Sequence, residues 1–257
     1  MGDVRVLAVQ APRMPAYDAL KYFRKITESA ASRDVDFVLF PEKWVTDELP
    51  QDGSAYLDLM NNISKLSREW GCAVIPGSFP LRRDGMLMNA SPVVLDGNVA
   101  GFQEKISLFR SEIGKYVPGN EINVFSHAVK FAVAVCYDID FPYYPKVAIR
   151  KGAELLLNPS LIQRKFHDMW HLYVAARSLE NRIPVVSVNS LSEPFGGNSA
   201  VSMLTDAGDG VFVNLEKLGQ HEVSLLNIDI DGARQLMAAR VREDPGIYSF
   251  TKAERSP

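Results

Sequence analysis

Cysteine is scarce in this chain, with 2 in 257 residues, and a disulfide framework is therefore excluded as the source of its stability. Charge of one sign is also missing: 28 Lys and Arg against 31 Asp and Glu leave a net charge of -3. No overall basic field exists to hold nucleic acid or an anionic membrane, so no nucleic acid and no membrane is expected as partner. No uninterrupted apolar run approaches the about 18–20 residues that a membrane span needs. The start, MGDVRVLAVQ, lacks a charged region followed by an apolar signal core. Val6 stands where a myristoylation motif following Gly2 requires Ser or Thr. These absences together predict a soluble, unexported, cytoplasmic protein whose partner is a small molecule or another copy of itself. What is abundant is apolar surface, 47% of residues, enough for a sizeable buried core.

That apolar content is distributed in a readable way. Short continuous runs at 4–9, 37–40, 130–135, 154–157 and 184–188 predict strands buried on both faces. Helical periods alternate with them. Ala16, Leu20, Phe23, Ile26 and Ala30 form one stripe, Tyr56, Leu59, Ile63, Leu66 and Trp70 a second, and Met169, Leu172, Ala176 and Leu179 another. Residues 86–105 and 198–230 carry strand-like runs broken by Gly, Asp and Asn, and read as hairpins. Strand and helix alternate without a Ser/Pro/Gly-rich linker or a repeat, which predicts one α/β domain over residues 1–257 with stacked sheets.

Three residues stand out for chemistry. Cys136 closes the run KFAVAV and is followed by YDIDFP, which places a thiol at the carboxyl edge of a strand, where open α/β sheets gather their active sites. Cys72, inside GCAVIPG, reads instead as a small buried hydrophobe. Glu42 follows the run DFVLF and Pro41 at the matching end of another strand, and Lys105 ends VAGFQEK. Taken alone, each is an ordinary loop residue. Together they answer a chemical need, because a thiol with a pKa of about 8.5 is only a few per cent thiolate at neutral pH and needs a base or a cation beside it. Glu42 is the candidate base. Removed from water its pKa tends to rise toward the working range of a base, and an ammonium at Lys105 counters part of that rise while donating to a developing oxyanion.

The segments FVLFPE, EKISLF and VCYDIDFP, in this order and each carrying one member of a Glu-Lys-Cys triad, with the later WHLYVAARSLENRIPVVSVNS, resemble the nitrilase, or carbon–nitrogen hydrolase, superfamily and its amidase-like branch. The resemblance spans roughly residues 4–232. It implies a four-layer αββα sandwich whose units pair, through the helices near the nucleophile, into a homodimer. It also implies attack of Cys136 on an amide carbonyl, loss of ammonia or an amine, and hydrolysis of the thioester by water that the same Glu activates. Glu112 looks like the second glutamate that many members place after the lysine, and Tyr137 lends its backbone N–H to the oxyanion. Relatives resembling omega-amidases read CYDxRFPE, whereas Asp140 and Tyr143 replace the arginine and the glutamate here. In the loop NPSLIQRKF, Ser160, Arg164 and Lys165 are candidates to meet a substrate, with a cation facing its carboxylate. Phe109 and Tyr116 are candidates for the wall of an acyl pocket.

Other motifs were weighed. His167 and His171 in HDMWH lie one helical turn apart, but the acid between them is Asp168 and no third ligand is evident, so no zinc site is inferred. No local signature ties His127, His167, His171 or His221 to Cys136 as a papain-like pair. The glycines of PFGGN lack the spacing and context of a dinucleotide loop, and no cofactor is inferred. The expected activity is that of a thiol-dependent amidase, with nitrile hydrolysis or a non-catalytic scaffold of the same fold as the alternatives.

Overall fold

The computed structural model describes residues 2–29 and 34–243; Ala30, the last residue assigned to the first helical stripe, and the chain from 244 onward lie outside the described residues. In chain order the elements are β1 (Val4–Val9), α1 (Ala16–Ser29), β2 (Phe37–Leu39), β3 (Leu49–Pro50), α2 (Ser54–Trp70), β4 (Ala73–Ile75), β5 (Phe79–Arg83), β6 (Met86–Leu95), β7 (Asn98–Glu104), β8 (Val124–Ser126) and β9 (Lys130–Val133). They continue with α3 (Tyr143–Arg150), β10 (Leu155–Pro159), α4 (His167–Asn181), β11 (Val185–Val188), β12 (Ala200–Asp206), β13 (Val211–Lys217), β14 (Val223–Ile228) and α5 (Ile230–Glu243).

The strands form two sheets, ordered β14-β1-β2-β4-β6-β5-β3 with β7 on β6, and β13-β12-β11-β10-β9-β8. At their centres β1, β2 and β4 run parallel, as do β9, β10 and β11. The period-2 alternation of each central strand sends its side chains to two different layers. In β1, Leu7 and Val9 pack with Phe23 of α1 and Leu59 and Ile63 of α2. Val4, Val6 and Ala8 point the other way, into a layer shared with Phe131, Val133, Leu155 and Leu157 of the second sheet. In that sheet Ala132, Leu156 and Val185 face Tyr144 and Ile149 of α3 and Trp170 and Val174 of α4. Three apolar layers thus separate four structural ones, and the αββα sandwich follows from strands that are apolar on both faces.

Two readings of the sequence need correction. Residues 198–230 are not a run of hairpins: β12 and β13 form one, but β14 crosses to the first sheet and pairs antiparallel with β1. The stretch 86–105 is a hairpin of β6 and β7, closed at Asp96 (φ 50) and Gly97 (φ 77), the positive values a two-residue I′ turn demands. In α4 the apolar stripe points outward, with Met169 61%, Leu172 70% and Leu179 39% exposed. Its inner face carries His167, Trp170, His171, Val174, Arg177, Ser178 and Asn181. Hydrogen bonds make that polar face buriable: Arg177 donates to the carbonyls of Ile139 and Asp140, and Asn181 to that of Arg177.

Candidate active site

Glu42 sits just past β2, in a turn held from three sides. Its own N–H donates to the Ser160 carbonyl of the second sheet at 3.2 Å, the Lys43 N–H to the Ser78 carbonyl at 2.8 Å, and the Trp44 indole to the Pro76 carbonyl at 2.6 Å. Gly77 (φ 75) makes the turn possible, because any Cβ there would run into the Pro41 carbonyl oxygen. Lys105 follows β7, its N–H bound to the Asn89 carbonyl of β6 at 2.8 Å. Cys136 lies just past β9 in a tight turn, Cys136–Asp140, and adopts φ 46, the left-handed region that costs a side-chain-bearing residue about 1–2 kcal/mol.

Several polar anchors hold that conformation. Asp138 is fully buried and accepts N–H bonds from Ser107 (2.6 Å), Ile106 (3.2 Å) and Val135 (3.1 Å), tying the segment after Lys105 to the Cys136 turn. Burial nevertheless pushes its carboxyl up to about 7, against the pull of those N–H donors. Asn158, at the end of β10, donates to the carbonyls of Ala134 (2.6 Å) and Cys136 (3.3 Å). Ser160 completes this network: its buried hydroxyl donates to Asn158 Oδ1 at 2.7 Å, so it serves the strand end rather than the face open to a substrate.

The three triad candidates converge in an almost closed site, Glu42 and Lys105 each 2% exposed and Cys136 7%. Lys105 Nζ lies 2.8 Å from Glu42 Oε1 and 2.8 Å from Glu112 Oε2, so Glu112 is brought into the same cluster. Asn89 Nδ2 bridges the two carboxylates, 2.7 Å from Glu42 Oε1 and 3.1 Å from Glu112 Oε1. Lys43 ion-pairs with Glu112 from the other side. The Cys136 thiol lies within the field of this cluster, pushed up by the Glu42 charge and pulled down by that of Lys105.

Electrostatics follow from this packing. Burial and then the Glu42 charge push the Cys136 thiol well above its usual range, opposed by Lys105. Burial also pushes Glu42 up, but Lys105 and Lys43 together outweigh it and leave the carboxyl below the ordinary range. That corrects the expectation of a raised Glu42, which reckoned with one cation where the site holds two. Glu112, buried between the same ammoniums, falls to about 2. Lys105 is desolvated, yet the charges of Glu42, Cys136 and Glu112 more than compensate and hold it protonated. Cys72, by contrast, is packed among the side chains under α2, and burial pushes its thiol up to about 12.

The remaining predicted positions fall around this centre. Phe109, 46% exposed, meets the Tyr137 ring edge-on at 5.3 Å, and Tyr137 in turn meets Phe141 at 5.2 Å. The Phe109 N–H donates to Glu112 Oε2 at 2.9 Å. Tyr116 is buried with the Lys43 ammonium 5.2 Å above its ring. Arg164 is exposed and paired with Glu193 at 2.5 Å, so the structure does not bring it into the cluster; Lys165 lies over the exposed Phe166 ring. His167 and His171 are buried against Asn189 and Asn198, and among the described residues no group of three or more His, Cys, Asp or Glu could hold a metal ion. Sequence reading missed Lys43, Asn89, Asp138 and Asn158. Asn89 and Asn158 did leave a trace, as polar residues inside otherwise apolar strands.

Comparison with known proteins places the chain in a family. The family model for carbon–nitrogen hydrolases matches residues 5–236. The omega-amidase of Xenopus tropicalis is 26% identical over 64% of this chain and 66% of its own length. The 2-oxoglutaramate amidase of Bacillus subtilis is 25% identical over 84% and 85%. Over several of these curated relatives the matched stretch spans just under two thirds of their length. Among solved structures, a CN-hydrolase superfamily protein from Xanthomonas campestris superposes with a TM-score of 0.77 at 21% identity, covering 97% of this chain and 100% of that one. An amidase from Nesterenkonia sp. gives 0.72 at 22% identity, covering 94% and 96%. With its fold matched throughout and the family's profile covering all but the ends, this chain belongs to the carbon–nitrogen hydrolase family.

Proposed function

We propose that this protein hydrolyses the carbon–nitrogen bond of a small amide through a thioester on Cys136. One observation carries the reading: a buried thiol on a turn of positive φ shares a nearly closed site with a carboxylate that an ammonium fixes in place at 2.8 Å. Because the resting thiol is neutral, its proton leaves as the sulfur attacks. Sγ adds to the amide carbon, Glu42 takes the thiol proton, and the new charge on oxygen is met by Lys105 Nζ and the Tyr137 N–H. Collapse of the adduct breaks the C–N bond, and Glu42 returns its proton to the departing nitrogen. Ammonia or an amine leaves and the acyl group remains on sulfur. A water then gives a proton to Glu42 as its oxygen attacks the thioester carbon; the carboxylic acid departs and the sulfur recovers the proton.

Relatives named omega-amidase and 2-oxoglutaramate amidase put ω-amides first among the substrates to try. The test is ammonia release from ω-amides, aliphatic amides, carbamoyl amines and nitriles, run beside Cys136→Ala. Release from one amide class that disappears in the variant is expected; release from nitriles alone moves the activity to C≡N, and none from any compound defeats the hydrolase reading.

We propose further that the outward stripe of α4, Met169, Leu172 and Leu179, seats a second copy of the chain, since an apolar row of this length favours a partner over water. Light scattering at micromolar concentration should return twice the monomer mass, and Leu172→Glu should halve it. Among the described residues no helix is long and apolar enough to cross a membrane.

A further inference from the structure

The cluster around Lys105 holds one more ammonium than the reaction needs. Lys43 follows Glu42 directly and takes φ 44, a conformation rare for a long side chain, fixed by its N–H on the Ser78 carbonyl and by Arg13 donating to its own carbonyl at 3.1 Å. This backbone turns the side chain back into the site, where it is only 17% exposed. Its ammonium ion-pairs with Glu112 Oε1, stands 4.0 Å from Glu42 Oε1, and covers the Tyr116 ring at 5.2 Å. Two carboxylates and a ring thus engage the ammonium from within the protein.

Counting charges shows what the extra ammonium does. Glu42 and Glu112 carry two negative charges; Lys105 and Lys43 carry two positive ones. Lys105 alone would leave this nearly dry cluster with a net negative charge. Moving a thiol proton to Glu42 while building negative charge on a carbonyl oxygen would then work against that field. We infer that Lys43 is a positioning residue of the active site: it holds Glu112 against Lys105 and balances the cluster, so that the oxyanion forms where no net negative charge opposes it.

This inference rests on the amidase reading above and deepens it. The groups facing Lys43 are Glu42 on its own turn, Asn89 and Lys105 from the β6–β7 hairpin, and Glu112 and Tyr116 from the loop after it, with the Lys115 ammonium 5.5 Å from the centre of the same Tyr116 ring. Both carboxyls feel Lys43 as an attraction that lowers them, and Lys43 is itself held protonated by their charges against its burial.

The experiment compares wild type with Lys43→Met, Lys43→Gln and Lys43→Arg. Carbon-13 carboxyl NMR follows Glu42 and Glu112, assigned through Glu42→Gln and Glu112→Gln, and kcat/KM is followed against pH on the best amide. Losing an opposite charge at this range should raise both carboxyl midpoints, and the acid limb of kcat/KM with them, by about 1 unit or more. Lys43→Arg should restore them. Lys43→Gln covers the case in which the Met variant folds poorly. Unmoved midpoints, or a uniform loss of kcat with an unmoved acid limb, would overturn the assignment, since a merely structural lysine behaves in that way. If the midpoints move but no amide is hydrolysed, the charge balance stands and the amidase reading falls; active enzyme with unmoved midpoints gives the reverse.

Discussion

Replacing Cys136 by Gly should leave a more stable protein than replacing it by Ala, although both variants lose the thiol. At φ 46 the residue lies in the left-handed region, where a Cβ crowds the following carbonyl at a cost of about 1–2 kcal/mol. Alanine keeps that Cβ and keeps the strain. Glycine removes it but frees the unfolded chain, which takes back about 0.4–1 kcal/mol. The difference is about 1 kcal/mol in favour of Gly, or about 2–4 °C in Tm for a chain of this size. Both variants remove the same buried sulfur, so that loss cancels in the comparison. Urea unfolding of the two side by side measures the gap. An Ala variant as stable as the Gly variant would mean that the turn is relaxed, and that Asn158, Asp138 and Arg177 do not hold the thiol against its preference.

Glu112→Gln should cost stability in a pH-dependent way. A carboxyl at about 2, against an ordinary 4.5, corresponds to about 3 kcal/mol that is present above pH about 4.5 and lost as pH falls toward about 2, because its folded pKa is the lower one. Urea midpoints of wild type and variant should therefore converge on acidification, and a gap constant with pH would show that charge is not the source. Asp138→Ala strands the N–H groups of Ile106, Ser107 and Val135, each worth about 1–3 kcal/mol when buried without a partner. Hydrogen exchange at Ser107 and Val135 should accelerate in that variant while amides of α2 change only with global stability.

The sequence disclosed most where burial acts on both faces of an element. Strands such as Val4–Val9 and Leu155–Pro159 lie between two apolar layers, so their runs are continuous and their ends sharp, and past the ends of two similar runs, Phe37–Leu39 and Lys130–Val133, stand the candidate site residues Glu42 and Cys136. The outward stripe of α4 misled because hydrophobic periodicity reports where apolar residues cluster, not which way they face. Its true inner face is polar and is paid for by Arg177 and Asn181 hydrogen bonds that no period reveals. Lys43 and Asp138 escaped for a related reason. A charged residue in a loop defaults to solvent, and only its tertiary partners show that it is buried. The charge balance at Glu42 escaped with Lys43: a motif names the attacking group and its base, while their pKa values belong to the whole cluster.

The proposed base and nucleophile come from different sheets, and on that reading the inter-sheet layer sets their separation. Glu42 extends β2 of the first sheet and Cys136 extends β9 of the second, so the distance from base to thiol depends on how those strands pack face to face. Beneath them Phe37 of β2 and Phe131 of β9 meet edge to face at 5.0 Å, both fully buried. Phe131→Leu removes that contact and lets the sheets settle differently, and a displacement near 1 Å at a reacting pair can cost about 100-fold in rate. Leu59→Ala is the control: it opens a cavity under α2, in the other apolar layer, at about 2–5 kcal/mol. Assayed well below both melting temperatures, the control should lose stability and keep its kcat/KM, while Phe131→Leu should lose kcat/KM by more than its change in stability accounts for. Activities that simply follow stability in both variants would show that the base and the thiol are held by their own turns, Glu42 on Ser160 and Cys136 on Asn158, and owe nothing to the packing below.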